Sequence, residues 1–95
     1  MAIKKRKVWR FNDLQFGSGN FGGIMARKTF KNGYGVSVID GEFSYSGDDN
    51  YEMALLYNGE VEYDEDKDIP NGVEGYLSES EITDLMIKIQ NYDKK

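Results

Sequence analysis

Acidic residues supply most of the chemistry open to this chain. Glu60, Glu62, Asp64, Glu65, Asp66 and Asp68 fall within nine residues of one another. Asp64, Asp66 and Asp68 occupy positions 1, 3 and 5 of a calcium-loop spacing, which then requires Gly at position 6 and a bidentate Glu at position 12. The chain has Ile69 and Gly75 there, with Pro70 at position 7. The run is therefore read as a solvated acidic loop without a metal site. Paired carboxylates also serve glycosidases, but they need a deep pocket that raises the pKa of one partner. A chain of 95 residues with a single sheet and one helix seldom supplies one. It contains no His and no Cys, so the commonest general base, the commonest metal ligand and any thiol nucleophile are missing. The expectation is a non-enzyme, with no catalytic residue, no cofactor and no metal ligand.

The same acids suit recognition better. Glu60, Glu62 and Asp64 alternate with Val61 and Tyr63, so a strand through them would set three carboxylates about 6.6 Å apart along one face. That spacing is comparable to successive phosphates along one nucleic-acid strand. The six acids from Glu60 to Asp68 are thus candidate contacts for a partner protein with a basic groove, to which the chain would act as a nucleic-acid mimic. Charge is divided unevenly: residues 1–47 carry eight bases and three acids, residues 48–95 four bases and fourteen acids, within a net charge of −5. Such asymmetry points to partners of opposite sign or to two faces of opposite potential.

Two other motifs offer alternatives. Lys4, Lys5, Arg6 and Lys7 precede Trp9 and Arg10, a basic arm with a stacking aromatic suited to nucleic-acid phosphates and bases. Against it, the sequence pI is near 4.6, whereas nucleic-acid-binding domains usually read basic. Gly17, Gly19 and Gly22 match G-x-G-x-x-G, with Asp40 downstream. A dinucleotide site needs that loop to open a helix in a βαβ unit, yet a turn signal at Asn32-Gly33 arrives too soon for the crossover. A small-ligand binder at Gly17–Gly23, displaying Phe21, remains as a second alternative.

The elements that would position these groups follow from periodicity. Tyr34, Val36 and Val38 alternate, as do Tyr51, Met53, Leu55 and Tyr57, and Asn32-Gly33 and Asn58-Gly59 mark hairpins. Ser78 and Glu81 form a capping box, Leu77 and Ile82 a hydrophobic staple. Ile82, Leu85, Met86 and Ile89 make one helical stripe. The fold class is α+β: an antiparallel meander of four to six strands with one C-terminal helix on one face. It occupies a single domain, 1–95, with a basic arm over 1–7, mainly strands over 8–77 and a helix over 78–91. Tyr34, Val36, Val38, Met53, Leu55, Ile82, Leu85, Met86 and Ile89 are the expected core. No membrane span or signal peptide is read, and Phe21, Phe43 and Tyr45 are aromatics through which a homodimer would form.

Asn32–Gly41 (NGYGVSVIDG), Tyr51–Glu60 (YEMALLYNGE) and Gly72–Gln90 (GVEGYLSESEITDLMIKIQ) together resemble a class of short, mostly uncharacterised accessory proteins of tailed bacteriophages. The resemblance covers roughly residues 10–91 and carries no assigned site. The length of the acidic run and the basic arm depart from the pattern. The resemblance implies an accessory protein in the infected bacterial cytoplasm that binds and inhibits or redirects a host or defence protein.

Overall fold

The computed structural model describes residues 7–19, 23–41 and 50–95. The architecture is α+β, an antiparallel sheet carrying one C-terminal helix. In chain order a 3₁₀ turn (Phe11–Asp13) leads to β1 (Gly17–Ser18), β2 (Ile24–Thr29), β3 (Tyr34–Asp40), β4 (Tyr51–Tyr57), β5 (Glu60–Val61), β6 (Val73–Leu77) and α1 (Glu79–Gln90). The strands run in the order β1-β2-β3-β4-β5, and β6 also pairs with β4.

Both hairpin signals are used. At Asn58 (φ 55°) and Gly59 (φ 85°) both central residues take positive φ, the condition that matches a two-residue turn to the strand twist. At the first hairpin the Asn32 side chain does more than turn the chain. Its Oδ1 accepts from Tyr34 N–H, while Nδ2 donates to the carbonyls of Ile89 and Tyr92 at 2.8 and 3.0 Å. A hairpin residue thus adds a side-chain donor to the Ile89 carbonyl, which at the helix end otherwise accepts only the tighter backbone bonds from Asn91 and Tyr92 N–H. The other helix end is closed by the expected box: Ser78 Oγ accepts from Glu81 N–H, and Glu81 Oε1 accepts from Ser78 N–H. That hydrogen bonding to Ser78 holds the Glu81 carboxyl below the usual Glu range.

Tyr34, Val36 and Val38 pair with Tyr57, Leu55 and Met53, and α1 lays Ile82, Met86 and Ile89 over this face, all fully buried. Eight of the nine expected core residues are buried. Leu85 is the exception: it is half-buried and packs on the flank of the cluster. A four-residue stripe spans more of the helix circumference than one flat sheet covers. Three further departures bear on function. Val73–Leu77 forms a strand although Gly75 interrupts it and Tyr76 adopts φ 56°. Gly17–Ser18 belongs to the sheet instead of a loop, paired with Met25 and Ile24. Ile69, directly after the acidic run, is wholly buried in the main core. Among the described residues no helix is long and apolar enough to cross a membrane.

Candidate functional site

The acidic segment leaves the sheet at one residue. Leu55 N–H donates to the Gly72 carbonyl and Leu55 C=O accepts from Glu62 N–H, so β5 and β6 share the same edge of β4 with residues 62–72 looping between them. The strand ends at Val61, and this corrects the expectation that Glu60, Glu62 and Asp64 line one strand face. The chain departs because Ile69 must reach the core. Several of the acids are then engaged by the protein itself. Glu62, its side chain only 17% exposed, pairs with Lys95, and this bond holds the Lys95 ammonium above the usual Lys range. Asp64 Oδ1 accepts from Asp66 N–H at 3.0 Å. Asp68 Oδ2 accepts from the Tyr92 hydroxyl at 2.6 Å, and Asp68 Oδ1 lies 3.9 Å from Lys88 Nζ. Burial, then the bond to Asp68, pushes the Tyr92 phenol up to about 12.

What remains outward is a mixed edge. Glu60, Glu65, Asp66 and Glu74 are exposed, and none carries a salt bridge among the described residues. Two exposed tyrosines share this edge: Tyr63, 73% exposed, beside Gly72, and Tyr76, 63% exposed, on β6 towards the Tyr51 end of β4. Gly72 makes room for the first. Its φ is +81°, and a Cβ there would meet Val61 Cγ1 at 2.7 Å and the Tyr63 ring at 3.0 Å. Among the described residues no cluster of three or more potential ligands could hold a metal ion. Asp64, Asp66 and Asp68 are directed instead to a turn amide, outward and to Tyr92.

The basic motif is built differently. Lys4, Lys5, Arg6 and Phe21 lie outside the described residues, as do Phe43 and Tyr45. Residues 7–13 run along α1 in the opposite direction, fastened twice. Trp9 N–H donates to Gln90 Oε1 and Trp9 C=O accepts from Gln90 Nε2, both at 2.8 Å. Phe11 N–H donates to Thr83 Oγ1 at 3.0 Å. Lys7 pairs with Asp13 at 3.0 Å, and this bond, with the Arg10 N–H, holds the Asp13 carboxyl below its usual range. Beside Trp9 opens a groove of about 670 Å³, lined among others by Lys7, Lys28, Lys31, Gln90 and Lys94. Arg10 is exposed and does not line it. Lys28 comes from β2, Lys31 from the hairpin and Lys94 from the tail; the run Lys4–Arg10 gave no sign of them. The available signal was the alternation of β2, which sets Lys28 on the same face as buried Ala26.

Gly22 lies outside the described residues; on either side of it β1 pairs antiparallel with β2 and Gly19 N–H donates to the Gly23 carbonyl at 2.7 Å, so β2 follows where a dinucleotide site requires a helix. No protein-family profile, curated protein or solved structure matches the chain.

Proposed function

We propose that this chain is a binding protein that inhibits or redirects a partner protein carrying a basic groove, and that it does so through the acidic edge formed by Glu60, Tyr63, Glu65, Asp66, Glu74 and Tyr76. The observation that carries this reading is the pair of exposed tyrosines among carboxylates that the fold leaves unpartnered. Tyrosine brings a large amphipathic contact at low entropic cost and is enriched at binding hot spots. Carboxylates around it speed encounter with a positive surface and select against a negative one. Tyr76 adds a second argument, since a non-glycine residue in the left-handed region costs about 1–2 kcal/mol. Strain of that kind, spent on an exposed side chain, is a reason to look for function there. The likeness to phage accessory proteins supplies the setting, an infected bacterial cell in which nucleases and polymerases offer basic grooves.

The test is capture from bacterial lysate with the protein as bait, repeated with Tyr63→Ala/Tyr76→Ala and with Glu60→Gln/Glu65→Gln/Asp66→Asn/Glu74→Gln. One specific basic partner lost from both variants, and released from the wild type by added duplex DNA, supports mimicry. A partner held equally by all three baits refutes the acidic-edge mechanism.

A further inference from the structure

The groove beside Trp9 has no part in that reading, and its lining defines its own ligand. Four lysines, at positions 7, 28, 31 and 94, line it against one carboxylate, Asp93. They come from three separate stretches of a chain whose net charge is −5, around residues 7, 28–31 and 94, so their convergence is a product of the fold. Lys28, Lys31 and Lys94 carry no salt bridge among the described residues, whereas Lys7 is paired with Asp13. The amide side chains nearby are already committed: Gln90 to the Trp9 backbone and Met86 O, Asn32 to α1 and Tyr34, Asn91 to Ile87 O. The groups left to meet a ligand are the ammoniums and the indole, with the Thr29 hydroxyl and the single Asp93 carboxylate beside them.

The indole is set for exchange. Lys28 Nζ stands 3.7 Å from the Trp9 ring centroid and Lys7 Nζ 5.1 Å, so a cation now covers a π surface in the groove. An arriving anion draws the Lys28 ammonium off the ring, and the exposed ring then accepts a flat apolar group. Ammoniums for phosphate beside an aromatic for a base are the two components of single-strand recognition. A duplex keeps its base faces stacked and inaccessible, and an acidic peptide makes no use of the indole. We propose that the Trp9 groove binds the phosphate–base unit of single-stranded nucleic acid, with Lys28, Lys31 and Lys94 on phosphates and Trp9 stacked on a base.

Trp9 is the chain's one tryptophan, so its emission reports the site directly. A short oligothymidylate titrated at about 50 mM salt is expected to quench that emission, with log K falling against log salt at a slope of about −2 to −3. Thymidine monophosphate in a parallel arm distinguishes the strand from a free nucleotide: weaker quenching by the same groove supports the strand, and tighter binding of the monomer overturns it. Lys28→Gln/Lys31→Gln, followed by anisotropy of the labelled oligonucleotide, is expected to weaken binding about tenfold or more. Lys88→Gln, which removes one positive charge outside the groove, should leave it within about twofold. Trp9→Phe retains a ring and should bind between these limits; if it fails to fold, the lysine pair alone decides. Absence of quenching, equal binding of duplex DNA, equal quenching by polyglutamate, or equal loss in Lys88→Gln would each overturn the proposal. These measurements are independent of the lysate capture, so either reading can fail alone.

Discussion

The acidic segment and the Trp9 groove both crowd charge of one sign, and they dispose of it by opposite means. In residues 60–68 much of the charge turns inward: Glu62 to Lys95, Asp68 to Tyr92 and Lys88, Asp64 to a turn amide. In the groove, three lysines have no carboxylate partner among the described residues, and one of them rests on an indole. Charges adjacent in sequence are spread by the fold, whereas charges distant in sequence are gathered by it. A side chain satisfied at home contributes rigidity, and only what is left over contributes recognition. The acidic edge is therefore smaller than its composition suggests and the groove larger.

The two regions also differ in what fastens them. Residues 62–72 hang on a single apolar anchor, Ile69, fully buried among Tyr34, Leu55 and Ile89 in one cluster. Ile69→Ala is expected to cost about 2–5 kcal/mol, by lost transfer energy and the cavity left behind. Urea denaturation measures it. A loss under about 1 kcal/mol would show that the loop is held by its ion pairs instead, and the contrast would collapse. The groove wall is held by hydrogen bonds. Gln90→Ala strands the Trp9 N–H and C=O in a half-buried site and should cost about 1–3 kcal/mol. It should also shift the Trp9 emission, because the indole loses its support, whereas Ile69→Ala should leave that emission in place in the folded state.

This contrast explains how much was legible in the sequence. Alternation in β3 and β4, the Asn-Gly turns and the capping box each report a local rule, and the sheet with its C-terminal helix follows from them. Local rules say nothing of Ile69, whose neighbours in the chain are acids and a proline. Nor do they reveal β6, where Gly75 and a left-handed Tyr76 break the period that marks a strand. Lys28, Lys31 and Lys94 were invisible as a group because only the pairing of β2 with β3, and of the hairpin with the end of α1, brings them together. The acidic run misled for the same reason: its alternation continues to Asp64, but a core residue five positions further on pulls the backbone off the sheet.

A smaller effect sharpens the comparison at the recognition edge. Gly72→Ala combines a left-handed backbone with a Cβ only 2.7 Å from Val61 Cγ1. It should cost about 1–2 kcal/mol. The substitution also displaces Tyr63, so capture of a partner by the acidic edge should fall while oligonucleotide quenching at Trp9 is unchanged. Parallel loss of both would mean that the two surfaces are one site.

The smallest effect belongs to the Tyr92 hydroxyl, which joins the regions by two hydrogen bonds, accepting from Asp68 N–H at 3.1 Å and donating to Asp68 Oδ2 at 2.6 Å. Tyr92 lines the groove and donates its hydroxyl to Asp68 of the acidic segment. Its ring also lies edge-on to Tyr34, with centroids 5.1 Å apart. Tyr92→Phe keeps the ring and removes both hydrogen bonds, so at neutral pH it should cost only about 0.5–1 kcal/mol at this partly exposed position. The alkaline limb is more telling. The phenol ionises at 10.0 when free and at about 12 when folded, so below pH 10 it is neutral in both states and its contribution is complete. Above pH 10 the unfolded chain releases the proton first, and stability drains away as pH rises to about 12. Other tyrosines titrate in the same range, so the informative quantity is the difference between wild type and Tyr92→Phe in urea midpoint. That difference should be constant up to pH 10 and then shrink towards pH 12. A difference that stays flat throughout would mean that the phenol is neither buried nor bonded to Asp68 in solution, and that the acidic segment and the groove are not joined through Tyr92.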